Sequence, residues 1–295
     1  MLRPPPLSHV LRYPVTAHVV AASLSLSLAK FAGADVSFLL PDYHVVRGEP
    51  WRLLSAVLLH GDPLHLFFNV YCLWIFGTAV EGVLGALATL LIYLAFAIGP
   101  IAAEFAIFHG GIGLSGVAYG LFGMLWVLSH RDERFSGMMS PSLAAFLVFF
   151  FVLSIILTVA NVMPIANVAH GAGAILGYLL GWSMSARTPT LRILWGLGFA
   201  LFLGFCLSAA FVFRHHVNFW KHRGSDFAVA GLDALRDRRS DEAIDLLRQA
   251  VRMNPKHPEW WLALSSAYRQ AGRNEEAKQA ADQAQLAAQA LTRRR

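Results

Sequence analysis

The chain has 295 residues, of which 56% are hydrophobic and only 14% charged. A soluble globular domain carries about 25% charged residues, so this composition excludes an ordinary soluble fold for most of the length and points to lipid. The net charge of +6 is concentrated at one end: residues 1–213 are net +1 and residues 214–295 net +5. Lys and Arg there alternate with acids in the manner of a solvated helix face, so no nucleic-acid partner is expected.

The basic start, MLRPPPLSHVLRYP, leads into an apolar stretch that no A-x-A-like cleavage site ends. This predicts an uncleaved first membrane span and not a signal peptide. A span needs about 20 mainly apolar residues. Seven segments qualify, at 14–33, 64–81, 84–103, 114–130, 143–162, 167–185 and 191–213. Segment 34–63 differs, because Asp35, Asp42, Arg47, Glu49, Arg52 and Asp62 are scattered among its apolar residues. It is too polar to span and too long and hydrophobic for a plain linker, so it reads as a structured loop at the membrane surface. The cysteines, Cys72 and Cys206, each lie inside an apolar run and read as buried small hydrophobes, forming neither a disulfide nor a metal site.

Arg3 and Arg12 precede the first span, Arg131 and Arg134 follow the fourth, and Arg187 and Arg192 follow the sixth. All six fall on one side, which the positive-inside rule makes cytoplasmic, while Lys30, Arg47 and Arg52 fall on the other. The seventh span then carries the tail outside, against the pull of Arg214, Lys221 and Arg223 just beyond it. The predicted fold class is all-α: a polytopic membrane bundle of six spans plus one, with a small soluble α-helical repeat domain. The domains are expected at 1–189, 190–213 and 214–295.

The tail repeats itself. Asp241-Glu242-Ala243 recurs as Glu275-Glu276-Ala277 and Ala250 as Ala284, an offset of 34 residues that is the tetratricopeptide period. Trp261, Leu264, Tyr268 and Gly272 precede Ala277 in the second unit, whereas the opening helix of the first is degenerate in sequence. Fewer than three repeats is marginal for an independent solenoid, so the tail is expected to pack on something else and to serve a protein partner.

Chemistry is concentrated in Gly113-Leu114-Ser115-Gly116, which opens a span. A serine in a helix's first turn sits at the positive end of the dipole, where free N–H groups can hold an oxyanion. Gly113 permits close approach of the preceding chain, and Gly116, Gly120 and Gly123 strip one helix face. His170 is followed by Gly173 and Gly177, a second bare face. Two such faces can pack closely and bring His170 to Ser115 as a general base. A chance Ser and His on small-residue packing faces is the plainer alternative, but an ionisable His inside a span is a functional residue by default. His65 and Asn69, at i and i+4, share a face from which both can donate to a developing oxyanion. The neighbouring His60 and Asp62 raise a metal alternative, which lacks an HExxH pattern, so no metal or other cofactor is expected. His60 is expected to hold the loop by hydrogen bonds, His109 to border the cavity at most incidentally, and Glu81 and Glu104 to be polar helix ends.

Together, Trp51-Arg52, the spaced His60, His65 and Asn69, the run Gly113 to Gly120, and Ala169-His170 with Gly173 and Gly177 resemble the rhomboid proteases. The motifs occur in that family's order over roughly residues 14–185, with no departure at the catalytic positions. The resemblance implies a Ser115–His170 dyad without an aspartate, in a water-filled cavity open to the non-cytoplasmic side. It implies an oxyanion hole of the Ser115 N–H with His65 and Asn69, and Tyr119 as the aromatic on which His170 stacks. It also implies that segment 34–63 is half-embedded in the outer leaflet, with Arg52 tying it down. The expected function is an intramembrane serine endopeptidase of a bacterial inner membrane, surrounded by lipid and acting on transmembrane proteins. The rival is a non-proteolytic membrane adaptor using the same scaffold and the tail. A transporter or channel is disfavoured because no chain of charged residues runs through the spans.

Overall fold

A computed structural model describes residues 4–108, 110–218 and 224–292; His109, Arg3, Lys221 and Arg223 lie outside the described residues. Contacts divide the chain into two units, residues 1–41 with 50–214 and residues 42–49 with 215–295.

The first unit is a helical bundle. Its helices are α1 (Pro14–Phe31), the short α2 (Arg52–Ala56), α3 (Pro63–Leu84), α4 (Ala86–Ile107), α5 (Ser115–Arg131), α6 (Pro141–Val159), α7 (Asn167–Ser185) and α8 (Pro189–Phe211). Local chemistry sets several starts. Pro14, Pro63, Pro141 and Pro189 occupy the first turn, where a missing N–H leaves nothing unpaired. Asp62 caps α3 by accepting from the Leu64 and His65 N–H groups, both at 2.9 Å. Ser140 Oγ and Thr188 Oγ1 accept from Leu143 N (3.2 Å) and Leu191 N (3.3 Å) to cap α6 and α8.

Helices α1, α3, α4, α6 and α8 are long and apolar enough to cross a membrane. Each carries large apolar side chains on its outer face, Phe67, Leu87, Leu91, Phe149, Val159, Leu201 and Phe205 among them, while Leu73, Phe76, Phe96 and Phe105 of α3 and α4 turn inward. In α1 the buried residues are Thr16, Ser23 and Ser27 while Leu28 faces out, an inverted pattern that suits small polar residues packing between helices in lipid. Helices α5 and α7 fall outside that apolar set, as both are rich in glycine and α5 is only 17 residues long. The whole is a polytopic all-α membrane bundle.

Glu81 is not a mere polar helix end. Only 4% exposed, it accepts from the Val15 and Thr16 N–H groups at 2.9 Å each, capping α1 from the far end of α3. Cys206 is buried as expected, whereas Cys72 is only half-buried; both thiols are free. The chain leaves α8 at Arg214, whose guanidinium lies 3.7 Å from the centroid of the Phe105 ring and donates to the Phe108 carbonyl at 2.8 Å. The C-terminal ends of α8 and α4 therefore lie at the same end of the bundle.

The second unit contains α9 (Arg214–Val217) at its border, then α10 (Ser225–Arg236), α11 (Ser240–Met253), α12 (Pro258–Gln270) and α13 (Asn274–Thr292). The degenerate opening segment of the first repeat does form a helix, α10. Ala234, Leu247, Ala250, Leu264, Ala267 and Tyr268 form the core. The Asp42–Glu49 segment belongs to this unit. Tyr43 packs on its core against Phe227, His44 Nε2 lies 3.3 Å from Asp233, and Arg47 pairs with Glu242.

Candidate active site

Ser115 is the first residue of α5 and His170 lies in the first turn of α7. Ser115 Oγ and His170 Nε2 are 2.8 Å apart. What allows this is backbone contact between the two helices. A Cβ on Gly173 would stand 2.3 Å from the Gly116 carbonyl oxygen, and one on Gly123 would stand 2.4 Å from that of Ala174. Both distances are impossible for any other residue, so the bare faces inferred from sequence do meet.

His170 stacks on Tyr119 with ring centroids 4.7 Å apart and 25° between planes. Its Nδ1 is buried and has no hydrogen-bond partner among the described residues. Among the described residues no carboxylate meets this Nδ1, and the Tyr119 ring lies against the face of the imidazole.

Gly113, at φ +105°, donates its N–H to the Ala56 carbonyl at 3.2 Å. A side chain there would adopt a disfavoured conformation and meet the His65 ring at 2.8 Å. The His65 ring thus lies against the chain two residues before Ser115. Its Nδ1 accepts from Gly61 N at 3.3 Å, which places the ring proton on Nε2 as a donor. Asn69 is buried on the same face and gives one amide N–H to the His65 carbonyl at 2.8 Å, leaving a second.

His60 is fully buried and links three elements. The Leu114 N–H points to its Nε2 at 3.5 Å, its Nδ1 lies 3.0 Å from Ser27 Oγ, and Ser27 donates to the Leu58 carbonyl at 3.2 Å. Burial pushes His60 down to about 4, consistent with a neutral ring accepting at Nε2. Asp62 is spent on the α3 cap, and among the described residues no cluster of three His, Cys, Asp or Glu is placed to hold a metal ion. Arg52 is buried and donates from Nη1 to the Ser37 and Leu40 carbonyls at 3.2 and 3.3 Å, drawing the α1–α2 connection together.

Glu104 also departs from the polar-end expectation. It is 4% exposed and accepts from the Ala169 N–H at 3.0 Å, one residue before His170. The sequence signal for such a residue is an ionisable group within an apolar helix, and α4 runs past Glu104 to Ile107.

A polytopic helical membrane protein with a serine and a histidine hydrogen-bonded at one end of the bundle is the class this geometry defines. The family model of the Rhomboid domain matches residues 47–187, and that of the Tetratricopeptide repeat matches residues 234–293. Rhomboid protease GlpG of Pectobacterium atrosepticum is 37% identical over 142 residues, 47% of this chain and 50% of that protein. GlpG of Salmonella paratyphi A is 30% identical over 185 residues, 60% of this chain and 66% of that protein. The relative YdcA of Bacillus subtilis is 33% identical over 143 residues, 47% of this chain and 69% of that protein. The chain thus spans half the length of the first of these relatives and about two thirds of the others. The chain belongs to the rhomboid family and carries a tetratricopeptide-like tail.

Proposed function

We propose that this protein is an intramembrane serine endopeptidase that cleaves transmembrane protein substrates. The observation that carries this reading is the 2.8 Å approach of Ser115 Oγ to His170 Nε2 at the start of two backbone-packed helices. Ser115 donates its proton to Nε2 and its oxygen attacks the scissile carbonyl. The imidazolium then passes that proton to the leaving amine, and water hydrolyses the acyl ester with His170 again as base. The tetrahedral oxyanion is received by the Ser115 N–H, the His65 Nε2–H and the free N–H of Asn69. Tyr119 holds the imidazole plane through stacking, and Gly113, Gly116, Gly173 and Gly177 provide the close approach.

The domains follow as a membrane core over 1–189, an added span over 190–213 and a helical tail over 214–295. The host membrane is a bacterial inner membrane, with Arg12, Arg131, Arg134, Arg187 and Arg192 on the cytoplasmic side. The tail recruits or orients a protein, since helical repeats act by presenting surface to another chain and no Ser/His or paired-carboxylate arrangement stands out between residues 224 and 292.

A serine-reactive fluorophosphonate probe tests the assignment. It labels the wild-type protein at Ser115 and leaves Ser115→Ala unlabelled, and membranes with Ser115 intact release cleaved transmembrane proteins that Ser115→Ala membranes do not. An unlabelled, inactive wild type would return the scaffold to a non-proteolytic role.

A further inference from the structure

Resting on the protease reading, we infer that Glu104 is a positioning residue for His170: its carboxylate is the N-terminal cap of α7 and sets the height of the imidazole against Ser115. The first N–H groups of a helix have no partner within the helix, and they need an acceptor when buried. At α7 the residue preceding the helix is Ala166, which provides no side-chain cap. The acceptor comes instead from another helix. Glu104 Oε2 takes the Ala169 N–H at 3.0 Å, across 65 residues of sequence.

This contact involves the backbone immediately before His170, whose own N–H turns to the Ala166 carbonyl at 3.2 Å. The stem of Glu104 reaches the other half of the dyad too. A Cβ on Gly111 would stand 3.4 Å from Glu104 Cγ and 2.8 Å from Ala166 Cβ, so the chain leading to Ser115 lies against the same side chain. One buried glutamate therefore touches both segments that carry the dyad. The α7 start has a second anchor from α6, where Asn167 Nδ2 donates to Thr158 Oγ1 at 2.8 Å and Asn167 Oδ1 accepts from Ser154 Oγ at 2.5 Å. That anchor holds a side chain at the helix entrance. Among the described residues, Glu104 is the side chain that holds the α7 backbone at residue 169.

A carboxylate is favoured over a neutral acceptor by the helix dipole, but its geometric task is to accept at the start of α7, from the Ala169 N–H at 3.0 Å. Gln keeps an acceptor at the same reach. Asp keeps the charge and withdraws the acceptor by one methylene, about 1.5 Å on standard bond lengths. Misplacement of a reacting group by about 1 Å can cost roughly a hundredfold in rate.

The test is cleavage of a model transmembrane substrate in proteoliposomes by wild type, E104Q, E104D and E104A, with the rate of fluorophosphonate labelling at Ser115 and the thermal midpoint of each. E104Q should stay within about threefold of wild type in kcat, whereas E104D and E104A should fall about a hundredfold in kcat and labelling rate with KM nearly unchanged. Equal kcat in E104A and wild type overturns the inference, as does E104Q falling as far as E104D. If E104A fails to fold, the order of E104Q against E104D decides alone. Failure of the protease reading looks different, because the wild type would then neither cleave nor react with the probe.

Discussion

A Cβ on Gly177 would stand 1.9 Å from the carbonyl oxygen of Gly120, so the α5 and α7 backbones touch where no side chain fits. This contact lies one turn beyond Gly173 and Gly116, and continues the seam that holds His170 against Ser115. Dispersion between closely approached backbones drives helix association in lipid, where burying apolar surface yields little.

Gly177→Ala should therefore be costly. Overpacking commonly costs about 1–3 kcal/mol, and here the obstacle is backbone, which yields less readily than a side-chain tip. We expect destabilisation of about 3 kcal/mol and loss of cleavage, read as a fall in the thermal midpoint in detergent. Gly204→Ala, in α8 with nothing within 4 Å of its Cβ position, is the control and should leave both unchanged.

Ser115→Ala and His170→Ala should each abolish cleavage while leaving the protein inserted and folded, because the backbone seam does not depend on either side chain. The double variant should be no worse than either single one, since the two groups act as a unit. Near wild-type turnover in either single variant ends the dyad assignment.

Asn69→Ala should lower turnover by less than Ser115→Ala. One oxyanion donor is worth about 3–4 kcal/mol, and the Ser115 N–H and His65 remain. Chelators should leave activity unchanged; inactivation with rescue by zinc would instead point to His60 and His65 as ligands.

His60 gives the fold an acid sensitivity with a defined window. The unfolded imidazole binds a proton below pH 6.5 and the buried one only below about 4. Stability from this residue is thus complete above pH 6.5 and is lost as the pH falls toward 4. Melting profiles of wild type and His60→Gln between pH 7.5 and 4.5 check this. The variant should melt lower at pH 7.5 and show a flatter pH dependence; parallel curves would remove His60 as the source.

Deleting residues 215–295 should leave cleavage of a generic transmembrane substrate nearly intact and impair processing of the native one in cells. The Arg47–Glu242 pair, with side chains 48% and 34% exposed, is a solvent-screened surface pair and adds little to stability. Its removal alone should change little. A cysteine at exposed Gln279, in a background lacking Cys72 and Cys206, should react with an impermeant thiol reagent in intact cells. Labelling only after permeabilisation would mean that α8 does not cross or that the bundle is inverted.

The sequence by itself determined the parts whose signal is local. Apolar runs marked the helices, and glycine spacing marked the α5 and α7 faces. The 34-residue offset marked the repeats. His65 and Asn69 share a face because the helical period places them there. Only the tertiary structure decided which distant groups satisfy one another. Glu81 serves α1 and Glu104 serves α7, although each reads in sequence as the polar end of its own helix. His60 relays between Ser27 and Leu114, and Asp42–Glu49 belongs with the helical repeats although the chain places it between α1 and α2. Helix formation is set by neighbours within a turn or two, whereas a buried helix end takes whichever acceptor the fold brings to it.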